Sequence, residues 1–117
     1  MKYTIDAADK KIGRIASEAA SILMGKKSVS FAKNKVEAVQ VEIVNANRAY
    51  ITAKKKSGGE GDDYVRYTGH RGGIKSETLG ELIDRRGMKE VFRLAVYSML
   101  PKNKLRTPRL KNLTVKE

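Results

Sequence analysis

Two segments carry the residues whose types and spacing bear most directly on chemistry. They are Tyr67-Thr68-Gly69-His70-Arg71-Gly72-Gly73-Ile74-Lys75 and Ser98-Met99-Leu100-Pro101-Lys102-Asn103-Lys104-Leu105. In the first, glycines free φ and remove Cβ, so a phosphate backbone can approach main-chain N–H groups closely while Arg71 and Lys75 supply positive charge. Thr68, Gly69, His70, Arg71, Gly72, Gly73 and Lys75 are therefore candidate contacts to RNA. His70 is the only histidine, and an isolated imidazole serves more readily as a hydrogen-bonded structural group or a donor to phosphate than as a general base. Without a second histidine or any cysteine, zinc sites of the common kinds are excluded.

Downstream, Lys102, Lys104, Arg106, Arg109 and Lys111 follow one another with no acidic residue until Glu117. A merely solvated surface intersperses both signs, so these residues are expected to bind RNA, with planar Arg106 and Arg109 suited to forked phosphate contacts. Lys54, Lys55 and Lys56 form a second run, read as a phosphate clamp that follows a strand and precedes a flexible glycine loop. Gly25-Lys26-Lys27-Ser28 superficially resembles a phosphate-binding P-loop. The upstream glycine position is Ala20, however, the Ser/Thr position is Lys27, and the segment closes a helix rather than opening one. Nucleotide phosphates would there meet the negative dipole end, so Lys26 and Lys27 are kept only as RNA contacts. Asp62 and Asp63 are adjacent in a turn-rich loop, where they lack the fixed geometry of paired acid/base work.

Composition points the same way. The 117 residues contain 25 Lys and Arg against 13 Asp and Glu, a net charge of +12 that a polyanion would neutralise. Residues 85–117 hold ten of those cations and two acids, so most of the excess lies in the last part of the chain. The length suits a single domain, 1–117, with a basic C-terminal tail from about residue 101. The absence of cysteine fits a reducing compartment, and the cytoplasm is the expected location. Met1-Lys2-Tyr3-Thr4-Ile5-Asp6 lacks the apolar stretch of a signal peptide and no run approaches a membrane span, so a soluble, unprocessed chain is expected. With two Phe, five Tyr and no Trp, base stacking is a limited resource and backbone charge contacts should dominate.

The elements that must position these residues alternate between strand and helix. Tyr3–Asp6 reads as a strand, and Ile12, Ile15, Ala16, Ala19, Ala20 and Leu23 line one helical face, with Asp9 as N-cap and Gly25 as terminator. Val39–Val44 and Ala49–Thr52 read as two strands joined by a tight connection. Ser57–Asp63 reads as a mobile surface loop, and Tyr64–Tyr67 as a strand leading into the glycine loop, itself a candidate strand-to-helix connection. Thr78 and Glu81 make a capping box that opens a helix to about Arg86, stopped by Gly87. Met88, Val91, Phe92, Ala95, Val96 and Met99 form the face of another helix, ended by Pro101. A basic turn or helix and a last strand at Leu113–Val115 complete the chain. Strands interleaved with helices predict an α/β domain with helices on both faces of a mostly parallel sheet.

Taken in order, several motifs resemble the thirteenth large-subunit ribosomal protein family of bacterial type. They are Asp6-Ala7, Ile12-Gly13-Arg14-Ile15-Ala16-Ser17 with Gly25-Lys26, Val44-Asn45-Ala46, Thr68-Gly69-His70 with Gly72-Gly73-Ile74-Lys75, and Ala95-Val96 leading to Met99-Leu100-Pro101-Lys102. The likeness covers nearly the whole chain. It implies a three-layer α/β/α fold with a small, mostly parallel central sheet, and a structural protein that binds large-subunit ribosomal RNA during subunit assembly. It also implies neighbouring large-subunit ribosomal proteins, and no catalysis, cofactor, membrane or small-molecule substrate. The RNA-facing positions it implies are Arg14, Lys26, Thr68, Gly69, His70, Gly72, Gly73, Lys75, Pro101, Lys102 and Lys104. Arg71 and the tail cations are added on charge alone. The chain departs from the family at Ala53, where glycine is usual, in a longer Gly58–Gly61 loop, at Gly87-Met88, where a proline is usual, and at Pro108, which is expected to interrupt the tail helix. Both chain ends look short. Two alternatives stand beside this reading: a phosphate-handling enzyme using the 68–75 loop with His70 and Asp62 or Asp63, and nonspecific nucleic-acid binding.

Overall fold

The fold was described from a computed structural model covering residues 1–58 and 63–117. Three parallel strands, β1 (Lys2–Asp6), β2 (Gln40–Val44) and β5 (Leu113–Val115), form a sheet in the order β1-β2-β5. A parallel return needs a crossover, and here it is supplied by α1 (Ile12–Leu23) between β1 and β2. The expected α/β class with a small parallel sheet is thus found, with α1 and α4 (Met88–Met99) together on one face of the sheet where helices on both had been expected. Val41 and Ile43 of the central strand are buried to 1% and 0% exposure and join α1 and α4 in one apolar core, at whose centre Phe92 and Val96 are fully enclosed. The alternate residues Lys2, Thr4, Thr114 and Lys116 are exposed on the opposite face, where Glu42 receives Lys2 Nζ at 2.9 Å and Lys116 Nζ at 2.5 Å. The lysine side chains close over the central carboxylate, and their hydrogen bonds, that of Lys116 first, hold its pKa below the ordinary range.

Helix α1 ends as its sequence dictates. Gly25 adopts φ +83°, its N–H donates to Ile22 O, and Lys26 N–H reaches back to Ser21 O, the paired bonds of a Schellman ending. Its start differs from expectation. Asp9 is in left-handed backbone at φ +58° with its N–H donating to Arg48 O, and the cap position falls to Lys11, which offers no side-chain acceptor. The chain must turn sharply after β1, and that turn uses Asp9 before the helix begins. The acidic group that does organise this corner is Asp6. Its Oδ1 accepts from Ala8 N–H and from Asn45 Nδ2, both at 3.0 Å, which lowers its pKa. Because β1 and β2 run parallel and end side by side at Asp6 and Val44, the Asp6-Ala7 and Asn45-Ala46 pairs meet, and both alanines are at 0% exposure.

Residues 49–52 do not form a strand. Ala46–Arg48 is a 3₁₀ turn, the stretch contributes only a single bridge between Lys11 and Tyr50, and Thr52 caps α2 (Ala53–Ser57) through its side chain. β propensity without a neighbouring strand to pair with is overridden by the local cap. The next two strands are β3 (Tyr64–Tyr67) and β4 (Ile74–Glu77), an antiparallel hairpin separate from the main sheet, so the glycine loop joins two strands rather than a strand and a helix. The expected Ser57–Asp63 loop lies outside the described residues at 59–62. Helix α3 (Leu79–Arg86) begins with the Thr78/Glu81 capping box and ends at Gly87, as expected. After Pro101, α5 (Arg106–Leu110) forms despite Pro108, which occupies its first turn, where the missing N–H has no helical partner to lose.

Candidate nucleic-acid interface

The hairpin presents the glycine motif at its tip. Thr68 N–H donates to Gly73 O at 3.0 Å and Gly73 N–H to His70 O at 2.9 Å, closing a turn around Arg71 and Gly72. Gly72 stands at φ +72° and Gly69 at φ +88°, and a Cβ on either would meet open space. Their requirement is conformational, because L side chains are disfavoured in this region. Gly73 is needed for a different reason: a Cβ there would overlap Thr68 Oγ1 and approach His70 O to 2.8 Å. Thr68, His70, Arg71 and Lys75 are all exposed on this scaffold. The His70 imidazole makes no hydrogen bond among the described residues, and Asp62, one of the aspartates paired with it in the enzyme alternative, lies outside them.

The β3–β4 register places Arg66 directly opposite Lys75 and Tyr67 opposite Ile74. Like charges facing each other across a strand pair repel, an arrangement that an external anion relieves. The other face shows Val65, Tyr67 and Ile74 at 67%, 65% and 71% exposure. Arg66 and Tyr67 were not among the candidate contacts read from the sequence, and their placement follows only once the antiparallel partner of Tyr64-Val65-Arg66-Tyr67 is known.

Around the start of α1 a second cationic area forms. Arg14 shares a cleft with Lys10 and Lys11, and Lys55 lines the adjoining cleft that also includes Lys11 and Tyr50. Lys54, Lys55 and Lys56 are exposed on α2, a helix, where a run following a strand had been expected. Lys26 is exposed beyond the α1 terminus, and Lys27 lies 3.8 Å from Glu18 and 5.8 Å from the Tyr3 ring centroid.

The tail is an ordered part of the fold, since β5 pairs with β2 in parallel. Pro101, Lys102 and Lys104 are exposed in the α4–α5 turn, where Asn103 Oδ1 accepts from Leu105 N–H. Arg106 stacks on the Tyr97 ring with its guanidinium carbon 3.6 Å from the centroid, and its Nε donates to Tyr97 O at 2.8 Å. That fixes the plane of the fork at the surface. Lys111 is exposed. Arg109 is not available to an outside phosphate: it is 2% exposed, and its Nη2 donates inward to Lys35 O at 3.3 Å and Lys33 O at 3.5 Å. Although only three residues apart on α5, Arg106 lies along Tyr97 at the surface while Arg109 reaches inward to Lys33 and Lys35, a distinction invisible in a row of cations.

These features define a basic α/β protein with a protruding glycine-tipped hairpin and, among the described residues, no cluster able to hold a metal ion. Comparison with known proteins takes the description one step further. The family described as ribosomal protein L13 matches residues 1–117. Large ribosomal subunit protein uL13 of Geobacter sulfurreducens is 41% identical over 113 residues, spanning 97% of this chain and 76% of that protein. Its counterpart from Rickettsia akari is 35% identical over 113 residues, spanning 97% of this chain and 73% of its own length. The chain belongs to the ribosomal protein L13 family.

Proposed function

We propose that the protein grips large-subunit ribosomal RNA with the β3–β4 hairpin tip, the α1–α2 cationic area and the α4–α5 turn, acting as one folded unit among neighbouring ribosomal proteins in the cytoplasm. As a member of its family it is a structural constituent of the large ribosomal subunit and not an enzyme. The observation that carries the RNA assignment is the hairpin. Two open, positive-φ glycines expose backbone around Arg71, and a like-charged Arg66–Lys75 pair stands beneath them. Affinity then comes chiefly from counterion release at phosphates. With roughly 6–10 phosphates neutralised, it falls about 10³–10⁵-fold between 50 and 200 mM salt.

The test is sedimentation of the protein with the large subunit from gently lysed source cells through a moderate-salt wash. Near-stoichiometric recovery is expected, reduced by Arg71→Gln with Lys75→Gln. Recovery outside ribosomes, or equal affinity for duplex DNA and ribosomal RNA, would refute the reading.

A further inference from the structure

A groove of about 370 Å³ runs between the inner face of the hairpin and helices α3 and α4. Its walls bring together Arg66 and Lys75 from the hairpin with Arg85, Arg86 and Arg93 from the helices, against only Glu77 and Glu90. The two carboxylates act as brackets. Glu77 receives Arg85 Nε at 2.7 Å and Nη2 at 2.8 Å, and Glu90 receives Arg93 Nε at 2.8 Å and Nη2 at 2.6 Å. Each guanidinium is thereby held in a fixed plane with its Nη1 edge carrying no hydrogen bond among the described residues. Arg66, Lys75 and Arg86 form no ion pair among the described residues. The groove is therefore a preorganised excess of positive charge at which two arginine planes are set before any ligand arrives.

We infer that this groove is a second seat for RNA, taking the phosphodiester backbone of one strand between Arg66 and Lys75 on one side and Arg86 on the other. The inference rests on the proposed RNA-binding role and extends it from the hairpin, which already supplies Arg66 and Lys75, to the arginines of α3 and α4. A strand backbone fits better than an acidic protein segment for two reasons. The bracketed guanidinium planes offer only single outward edges, which suit phosphate oxygens repeated along a strand. A bridging anion also relieves the facing Arg66–Lys75 pair, and a phosphate bearing two non-ester oxygens can accept from both.

The experiment compares the full-length protein with Arg66→Gln/Arg86→Gln and, separately, Arg71→Gln at the hairpin tip. The probe is large-subunit ribosomal RNA purified from the source cells, titrated between 50 and 200 mM salt. The groove variant is expected to lose on the order of tenfold or more in affinity and about two units of the salt slope, one for each phosphate contact removed. Arg66→Lys/Arg86→Lys retains the charge and most of the slope. If the double glutamine variant fails to fold, Arg86→Gln alone, which leaves the hairpin unaltered, reads a slope loss of about one. Unchanged binding by the groove variants alongside weakened binding by Arg71→Gln overturns the groove seat and leaves the hairpin reading standing. Loss of affinity for a polyglutamate probe without loss for the RNA also overturns it, in favour of a protein partner. No binding of ribosomal RNA by the unaltered protein defeats both readings.

Discussion

Replacing Arg109 by methionine separates an interior role from a surface one. The guanidinium is 2% exposed and supplies two long hydrogen bonds, 3.3 and 3.5 Å, to the carbonyls of Lys35 and Lys33, while its Nε is buried without a partner. Hydrogen bonds to a charged group contribute about 1.5–3 kcal/mol each at good geometry, and two at these lengths are credited with about 3 kcal/mol together. Removing the orphaned Nε returns about 1 kcal/mol, and methionine retains much of the packed volume. The net loss is about 2 kcal/mol. For 117 residues, an unfolding entropy of roughly 2.1 cal/mol/K per residue converts this to a fall in Tm of about 8 °C. Thermal unfolding by circular dichroism measures it directly. RNA affinity and its salt slope, determined well below the transition, stay at their original values, whereas Lys111→Gln lowers the slope by about one without moving Tm by more than about 2 °C. An Arg109→Met protein of unchanged Tm that had lost a unit of salt slope would refute the interior assignment and return Arg109 to the RNA surface.

Gly73→Ala must displace Thr68 or the His70 carbonyl; RNA affinity is expected to fall several-fold with global Tm nearly unchanged, because the hairpin tip is remote from the Phe92 core. Gly25→Ala combines the positive φ with overlap on Glu37 Cγ, a loss of about 2 kcal/mol readable in urea denaturation. Thr78→Ala removes half of the capping box at α3 and should cost about 1 kcal/mol in the same assay. Glu42, Glu77 and Glu90 all have folded pKa values lowered from 4.5, by their lysine or arginine partners. Their stabilisation is therefore present in full above pH 4.5 and lost as pH falls through the lower folded values. Acid unfolding of Glu42→Gln should accordingly show a shallower pH dependence below 4.5 than that of the unaltered protein, and parallel curves would contradict the clasp.

What the sequence determined by itself was whatever is enforced locally. The α1 and α4 faces follow from 3.6-residue periodicity, α3 from its capping box, and the end of α1 from Gly25, since each rests on groups within a few residues of one another. The excess charge and the glycine motif identified a surface suited to phosphate, and their order along the chain carried the family resemblance. Long-range pairing decided the rest. β propensity at 49–52 found no neighbouring strand, while Ile74–Glu77 found one in Tyr64–Tyr67, turning an anticipated loop into a hairpin with Arg66 facing Lys75. Asp9 lost its capping role to the corner that β1 and β2 impose at Asp6 and Asn45. Arg106 and Arg109 are equal as letters, yet packing of α5 stacks one on Tyr97 and encloses the other beneath Lys33 and Lys35. Charge is legible in a sequence because it is a property of the residue. Whether that charge faces solvent, a carboxylate or the interior depends on neighbours that only the folded chain brings within reach.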